Sequence, residues 1–303
     1  MAFRFNFPNP EDETAKCDEN NFPNTAETVM ECDNSKLFFE THQAVEVAGS
    51  TFPICKCSSS SLNEVGQAKE VKFGNLDVKY TSLKSVNKKT ENPNLLLTDS
   101  LGTDLLPGVY EGGFKVWECA FDLANYLVVN NCIKANDAVL ELGCGAGLPG
   151  IVAYICGASV AFQDLNSEVL EYVTIPNIML NTSEDKYAHV KQKCAFLSGD
   201  WECIRKCFYS YAQETNLFDV ILSSETIYEK GNQVKLLNLM KAALKKEGII
   251  FIAAKIHYFG VSGGILDFEK LVEEDGTFTI STVERFTNGF ERRIVKMKRK
   301  KTS

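Results

Sequence analysis

Three glycines at alternate positions, Gly143, Gly145 and Gly147, are the clearest candidate for a ligand-binding loop in this sequence of 303 residues. They follow the short apolar run Ala138–Leu142, which predicts a buried strand, and a segment typical of a helix comes after them. Glycines at such a turn let the backbone bend tightly and approach a ligand where a Cβ atom would clash. The pattern therefore predicts a small-molecule site, the alternative being a tight turn without a ligand.

The spacing and charge of this loop favour S-adenosylmethionine over a dinucleotide. A dinucleotide loop has the pattern Gly-x-Gly-x-x-Gly, and the last position of that pattern, counted from Gly143, is Leu148. A pyrophosphate also needs a helix N-terminus without nearby negative charge, whereas Glu141 comes just before the first glycine. S-adenosylmethionine carries a sulfonium, an ammonium and no phosphate, so an acid suits it. We therefore predict this cofactor, with S-adenosylhomocysteine as product and contacts from Glu141, Gly143, Gly145 and Gly147.

Two further segments are predicted to complete the cofactor site. Asp164 ends the second predicted strand, 21 residues after Gly143, close to the spacing at which an acid accepts hydrogen bonds from ribose hydroxyls. The alternative is an acid that stabilises the start of the next helix. Gly199, Asp200 and Trp201 follow the third predicted strand, where an indole face and a carboxylate could bind adenine. A helix cap followed by a core tryptophan is the alternative.

Residues after the fourth and fifth predicted strands are candidates for the catalytic side of the site. Because ligands of open α/β sheets bind beyond the carboxyl ends of the strands, Glu225 and Tyr228 are predicted to face the same crevice as the cofactor. Glu225 would orient the methyl acceptor and Tyr228 would line its channel, the alternative being that Glu225 only caps the next turn. His257 and Tyr258 face the crevice in the same prediction, although a lone histidine is more often structural.

These loops require a sheet whose strands alternate with helices. The predicted strands are 138–142, 159–163, 190–196, 218–223, 249–254, 278–283 and 293–298, and the predicted helices are 114–130, 147–156, 167–180, 201–211, 232–245 and 268–274. Pro176 should bend or break the helix at 167–180. Alternation predicts a mostly parallel sheet with helices on both faces, and the short link before the last strand predicts an antiparallel hairpin. This is the Rossmann-like α/β layout of the seven-stranded methyltransferases.

Composition divides the chain into three parts. Residues 1–100, rich in Asn, Glu, Ser and Thr, are predicted to be a low-order or accessory region, 101–298 to be the catalytic domain and 299–303 a basic tail. The net charge of -8 argues against a surface that binds nucleic acid throughout. Residues 291–303, ERRIVKMKRKKTS, carry seven bases and one acid. They are interpreted as a solvated edge strand and tail, or as an RNA-contact or nuclear-import patch.

Eleven cysteines at irregular spacings, with only three histidines, predict no metal site. Free thiols used as small apolar residues are the expected explanation. The apolar runs are too short to cross a bilayer, and the first residues lack the features of a secretory signal. We therefore expect no membrane association and a location in the cytoplasm and nucleus.

Several long motifs resemble the eukaryotic histidine protein methyltransferases of the methyltransferase-like superfamily. They are LLPGVYEGGFKVWECAFDLANYL, LELGCGAGL, FQDLNSEVLEYVTIPNI, LSSETIY and KIHYFGVSGG, within about residues 104–297. The resemblance implies methylation of the tele nitrogen of a histidine in another protein, the third protein of the large ribosomal subunit. It also implies a cofactor pocket lined by Val116, Trp117, Glu118, Cys119, Ala120, Gly143, Gln163, Asp164, Leu165, Gly199, Asp200, Trp201 and Ser223. The sequence departs from the family at Leu165, where relatives carry an aromatic, and at Asp200, where they carry Glu.

Two other functions share the predicted cofactor loop. The first is a methyltransferase that acts on lysine or on a small molecule. The second is a non-catalytic ribosome-assembly factor that binds the cofactor and escorts a ribosomal protein. The basic tail is compatible with the assembly factor as well as with the histidine methyltransferase.

Overall fold

A seven-stranded β-sheet organises the part of the chain that the computed structural model describes, namely residues 44–47, 50–53, 68–82, 104–106, 108–182, 190, 192–211 and 217–301. The strands are β1 (Ala44–Val47), β2 (Ser50–Pro53), β3 (Lys69–Phe73), β4 (Leu76–Tyr80), β5 (Ala138–Leu142), β6 (Ser159–Asp164), β7 (Cys194–Ser198), β8 (Phe218–Ser224), β9 (Leu244–Lys255), β10 (Phe278–Phe286) and β11 (Arg292–Arg299). The helices are α1 (Glu118–Val129), α2 (Leu148–Ile155), α3 (Ser167–Val169), α4 (Ile175–Leu180), α5 (Trp201–Tyr211), α6 (Lys230–Ala243) and α7 (Ile265–Asp275).

The order of strands across the large sheet is β10-β11-β9-β8-β5-β6-β7. The five strands β5 to β9 run parallel, whereas β11 pairs antiparallel with both β9 and β10. The predicted fold class, a mostly parallel sheet that ends in an antiparallel hairpin, is confirmed. The strand order reverses at β5, which lies between β6 and β8, so the loop after β5 opens into the crevice where α/β sheets bind ligands.

Both faces of the sheet are covered, which explains why β5 is buried at every position. Successive side chains of a strand point to opposite faces. Leu140 and Leu142 therefore pack in the core under α6 and α7, and Val139 packs in the core under α1 and α2. Glu141 shares the face of Val139 and is directed towards α2.

The helix predicted at 167–180 is interrupted, as Pro176 suggested, but the irregular turn comes earlier. A π-helical turn, Leu170–Thr174, separates α3 from α4, and Pro176 occupies the first turn of α4. Other differences concern boundaries. Residues 114–117 form a loop before α1 instead of the start of the predicted helix, and β9 begins at Leu244, earlier than predicted. The carboxylate of Glu229 accepts the backbone N–H of Asn232 at 2.9 Å, which fixes the start of α6.

The hairpin formed by β3 and β4 packs on the same core as the sheet, although its sequence predicted only weak order. Phe73 and Val78 are buried with residues of α1 and α2. The buried amide of Asn177, in α4, accepts the backbone N–H of Thr81 at 2.7 Å and donates to the carbonyls of Thr81 and Ala146 at 3.1 and 3.0 Å. One side chain therefore joins the end of this hairpin to the loop after β5.

Gly150 allows α2 to pack closely on the sheet. A Cβ atom at this position would lie 2.4 Å from both the Glu141 carboxylate and the ring of Phe162, which are fully buried. Gly150→Ala is therefore expected to overpack the core and to lower the free energy of unfolding by about 1–3 kcal/mol. Thermal denaturation measures this change. Gly231→Ala is the matched control in α6, because its Cβ would meet only the end of the flexible Glu229 side chain and alanine favours a helix. Equal melting temperatures for the two variants would contradict the packing argument.

The cysteines whose side chains the structure describes, Cys119, Cys132, Cys144, Cys156, Cys194 and Cys203, are all free thiols. Among the same described residues, no three or more His, Cys, Asp or Glu side chains form a group that could hold a metal ion. None of the described helices combines the length and apolar character needed to cross a membrane.

Candidate active site

An open cleft lies beyond the carboxyl ends of β5, β6, β7 and β8, the position at which open α/β sheets bind their ligands. The predicted cofactor contacts that line it are Val116, Trp117, Ala120, Gly143, Gly145, Gln163, Asp164, Leu165, Gly199, Asp200 and Trp201. The predicted catalytic residues Glu225 and Tyr228 line the same cleft. The structure therefore brings most of the predicted cofactor and acceptor residues together.

The glycine loop has a backbone that other residues adopt only with strain. Gly143, Gly145 and Gly147 have φ angles of 62°, 50° and 76°, in the left-handed region that favours glycine. A Cβ on Gly143 would lie 2.6 Å from the side chain of Thr226, and one on Gly145 would lie 3.3 Å from the carbonyl of Gly113. The absence of side chains leaves the backbone of Gly143 and Gly145 exposed to the cleft. Gly147 does not line the cleft and leads the loop into α2.

Glu141 is placed differently from the prediction. Its carboxylate is fully buried behind the loop, where one oxygen accepts the N–H of Gly150 at 2.9 Å. Burial raises the pKa of this carboxyl well above its usual range, the Gly150 hydrogen bond opposes the rise, and the charge of Asp164 adds to it. The prediction of a direct contact with a cationic ligand is corrected, because strand alternation points Glu141 towards α2 rather than into the cleft.

Three other predicted cofactor residues also lie outside the cleft lining. The side chain of Cys119, in the first turn of α1, is fully buried in the core. The carboxylate of Glu118 lies 3.7 Å from the guanidinium of Arg292. The hydroxyl of Ser223 donates to the carbonyl of Leu142 at 2.9 Å, which ties β8 to β5. Only one side of the first turn of α1 can face the ligand, so a continuous run of contacts through this turn is not formed.

Asp164 fixes the glycine loop and also faces the cleft. One carboxylate oxygen accepts the N–H of Gly145 at 2.9 Å and the other accepts the N–H of Asn166 at 3.2 Å. Burial raises the pKa of Asp164 to about 6, although these hydrogen bonds act in the opposite direction. The carboxylate stabilises the turn that precedes α3, as the alternative prediction expects, and it also lines the cleft in which the predicted ribose contact would form.

Gln163 connects three parts of the cofactor site. Its side-chain oxygen accepts the N–H of Gly143 at 3.2 Å and the indole N–H of Trp201 at 2.9 Å. Its side-chain nitrogen donates to the carbonyl of Gly199 at 2.9 Å. Because the amide has all these partners, it fixes the orientation of the indole that lines the cleft.

Gln163→Met is expected to weaken binding of S-adenosylhomocysteine about tenfold, because the loss of these hydrogen bonds releases the indole and the loop. The only two tryptophans, Trp117 and Trp201, both line the cleft, so titration can be followed by their fluorescence and by calorimetry. Gln233→Met is the matched control, since this buried amide donates to the carbonyl of Ile227 instead. An unchanged dissociation constant for Gln163→Met would contradict the assigned role.

Asp200 lines the cleft, and its carboxylate also contacts two other residues. One carboxylate oxygen accepts the N–H of Glu202 at 2.8 Å at the start of α5, and the other lies 2.9 Å from the ammonium of Lys235 in α6. The capping alternative is therefore observed, and it is compatible with a face open to the ligand. Lys235 also lines the cleft.

Glu225 is held in a strained backbone with its carboxylate buried. Its φ angle is 58°, in the left-handed region, and the residue is 6% exposed. Neither carboxylate oxygen makes a hydrogen bond of regular geometry with the described residues. Oε1 lies 3.5 Å from Nζ of Lys255, and the Cys119 thiol and the Tyr258 hydroxyl also interact with this carboxylate. The capping alternative does not apply to Glu225, because Glu229 caps α6. A buried carboxylate with free acceptor positions that lines a cleft is suited to a donor from a ligand.

Glu111 is a site residue that no pattern in the sequence indicated. It lines the cleft, and its carboxylate accepts hydrogen bonds from the hydroxyl of Tyr228 and from the N–H of Gly108, the latter at 3.0 Å. Burial raises the pKa of Glu111, and the nearby charge of Glu229 adds to this effect. The contact joins the loop before α1 to the loop after β8, which are distant in sequence, so no local pattern indicated it.

The prediction that His257 faces the crevice is also corrected by the structure. Its side chain is exposed and does not line the cleft, whereas the next residue, Tyr258, is buried. The Tyr258 ring lies 6.1 Å from that of Tyr228, and its hydroxyl accepts the N–H of Lys255 at 3.3 Å. Burial, followed by the charge of Glu225, raises its pKa well above the usual range. Tyr258, rather than His257, is therefore the neighbour of the candidate catalytic carboxylate.

A mostly parallel sheet with reversed strand order, a loop free of side chains at the reversal and a buried acid at the end of β6 are features of a Rossmann-like ligand-binding fold. A family model described as lysine methyltransferase matches residues 107–263. Relatives named histidine protein methyltransferase 1, or its homolog, are 42% identical over 62% of this chain in Dictyostelium discoideum, 39% over 74% in Bos taurus and 32% over 72% in Schizosaccharomyces pombe. The chain belongs to the family of histidine protein methyltransferases.

The matched regions cover different shares of these relatives. The chain spans 57% of the Dictyostelium protein, 64% of the bovine protein and 74% of the fission-yeast protein. The site residues from Glu111 to Tyr228 all fall within the segment matched by the family model.

Proposed function

We propose that the protein transfers a methyl group from S-adenosylmethionine to a histidine side chain of another protein. The observation that carries the proposal is the Glu225 carboxylate, which is buried, lines the cleft and has free acceptor positions. The names of the relatives at 32–42% identity support histidine as the acceptor.

The cofactor site has the groups that this ligand needs. The backbone of Gly143 and Gly145 would lie against it, Asp164 would accept hydrogen bonds from the ribose hydroxyls, and Leu165 and Trp201 would pack against adenine. When bound, S-adenosylmethionine supplies a methyl group activated by a sulfonium. The remaining task of the protein is to hold the acceptor in line and without water, which contributes up to about 7–11 kcal/mol in favourable cases.

Histidine suits the buried carboxylate of Glu225. With an ordinary pKa near 6.5 the imidazole is mostly neutral at pH 7, so a nucleophilic nitrogen is available without a base. Glu225 would accept the N–H of the other ring nitrogen, fix the tautomer and stabilise the positive charge that the ring acquires. Tyr228, held by Glu111, would form the wall of the acceptor channel beside Tyr258.

We propose the tele nitrogen as the methylated atom and a large-subunit ribosomal protein as the substrate. The motif resemblance across residues 104–297 supports both. A basic tail supports RNA contact near such a substrate, since Lys298, Lys300 and Lys301 are exposed at the end of β11. A substrate of this kind would place the protein in the cytoplasm and nucleus.

Lysine is the second candidate acceptor, because the matching family model is described as lysine methyltransferase. Lysine has an ordinary pKa near 10.4, so a lysine enzyme must remove a proton before transfer. The two candidates therefore differ in the side chain that receives the methyl group.

Transfer of radiolabelled methyl groups to ribosomal proteins from cells that lack the enzyme tests the proposal. Peptide mass spectrometry identifies the labelled residue, and chromatography against the two methylhistidine isomers identifies the nitrogen. We expect label on a histidine as the tele isomer. Label on lysine would overturn the histidine assignment, and an absence of label despite measurable cofactor binding would favour a non-catalytic assembly factor.

A further inference from the structure

Lys255 and Glu225 form a buried ion pair at the ends of the neighbouring strands β9 and β8. The ammonium lies 3.5 Å from Oε1, and the two side chains are 7% and 3% exposed. The rings of Trp117, Tyr258 and Phe290 surround the ammonium, with centres 5.9, 5.6 and 6.0 Å from Nζ. A carboxylate and several aromatic faces together suit a cation that has been removed from water.

The lysine lies behind the carboxylate as seen from the cleft. Glu225 lines the cleft and Lys255 does not. Lys255 is the last residue of β9 and is paired in register with Arg292 of β11, so the sheet fixes its position. An acceptor that approaches Glu225 from the cleft would therefore meet a carboxylate whose charge is already balanced.

Other charges near this pair have partners of their own. Arg292 lies 2.6 Å from Asp122 and 3.7 Å from Glu118, so the guanidinium is shared between these two acids. The thiol of Cys119 has its pKa raised by burial and by the charge of Glu225, which keeps it neutral at pH 7. Lys255 is therefore the cation that offsets the charge of Glu225.

We propose that Lys255 is a specificity-determining residue that makes the acceptor site select a neutral imidazole over a lysine ammonium. This inference rests on the proposed function. A buried carboxylate without a counter-ion attracts a cation strongly, because charges interact more strongly away from water. A carboxylate already paired with an ammonium keeps free acceptor positions for an N–H but no longer has a net charge to attract a second cation.

Lys255→Met tests the inference, because methionine keeps much of the length of the side chain and removes the charge. The probes are a synthetic peptide centred on the histidine labelled in the ribosomal-protein experiment and the same peptide with lysine at that position. Binding is measured in the presence of S-adenosylhomocysteine, so that no turnover occurs. We expect the wild-type protein to favour the histidine peptide and the variant to reduce that preference by about tenfold or more, mainly through tighter binding of the lysine peptide.

Two variants serve as controls. Lys255→Arg keeps the charge and should keep the preference. Lys241→Met removes a lysine that is paired with Asp275 on the surface and should leave both affinities unchanged. An unaltered preference in a folded Lys255→Met protein would overturn the inference.

A measurement on the wild-type protein covers the case in which Lys255→Met does not fold. If the site selects a neutral ring, affinity for the histidine peptide should fall as the pH drops from 7.5 to 5.5, after correction with an alanine peptide. Equal or tighter binding at pH 5.5 would overturn the inference. Failure of the proposed function looks different, because the wild-type protein would then label no histidine at all.

Discussion

Glu225→Gln is expected to reduce methyl transfer by about 10²- to 10³-fold, the loss typical when one group that stabilises charge in the transition state is removed. The amide has nearly the size of the carboxylate but lacks the charge that stabilises the methylated imidazole. The variant also leaves the buried Lys255 without its counter-ion, so thermal stability should fall. Binding of S-adenosylhomocysteine should stay within about threefold of wild type, because Glu225 holds the acceptor rather than the cofactor.

The assay combines initial rates with calorimetric titration below the melting temperature of the variant. Glu274→Gln is the matched control, because this acid of α7 is exposed and pairs with Lys270 at 3.8 Å. Its turnover should equal that of the wild type. Survival of turnover in Glu225→Gln would show that another group orients the acceptor.

Asp164→Ala is expected to weaken binding of S-adenosylmethionine about 5- to 150-fold. The change leaves the N–H groups of Gly145 and Asn166 without their acceptor, and such a loss costs about 1–3 kcal/mol. It also removes the proposed acceptor for the ribose hydroxyls. Calorimetry measures the affinity, and Asp164→Asn should be intermediate because its amide oxygen can still accept one N–H. A wild-type affinity in Asp164→Ala would remove this residue from the cofactor site.

The raised pKa of Asp164 adds a pH dependence to the same prediction. Because the ionised carboxylate is the form that accepts these hydrogen bonds, affinity should be constant above pH 7. It should fall by up to about tenfold per pH unit below the pKa of about 6. The contribution of this carboxyl to the free energy of unfolding depends on pH in the opposite direction. It is fully present below the ordinary pKa of 3.8 and is lost as the pH rises through about 6. Asp164→Asn should lack both effects.

The sequence predicted the sheet well because its local signals agree with the tertiary structure. The apolar runs of β5 and β8 are short, stopped by polar or glycine residues, and buried as expected. For the same reason, the glycine spacing and the acid at the end of β6 predicted a loop and a carboxylate that the structure places in the cleft. Features that are encoded by residues adjacent in the sequence, such as the loop after β5, could therefore be predicted without the structure.

The errors at the site have a different origin. Glu141 was assigned from its distance along the chain to the glycines, although the alternation of β5 directs it to the opposite side. His257 was assigned from its position after β9, where the backbone turns so that Tyr258 faces inwards instead. Glu111 and Lys255 were missed because their partners, Tyr228 and Glu225, are brought to them only by the packing of distant loops and strands.

The amide of Asn177 has a practical consequence for any shortened version of the protein. Its hydrogen bonds connect Thr81 with Ala146, so a polypeptide trimmed to start at residue 101 would retain the whole sheet yet lose two of the three partners of this amide. Ala146, between Gly145 and Gly147, would then be bound by an amide that Thr81 no longer holds in place. A shortened protein for crystallisation or screening should therefore start before β3, so that Asn177 keeps its hydrogen bonds to both Thr81 and the ligand loop.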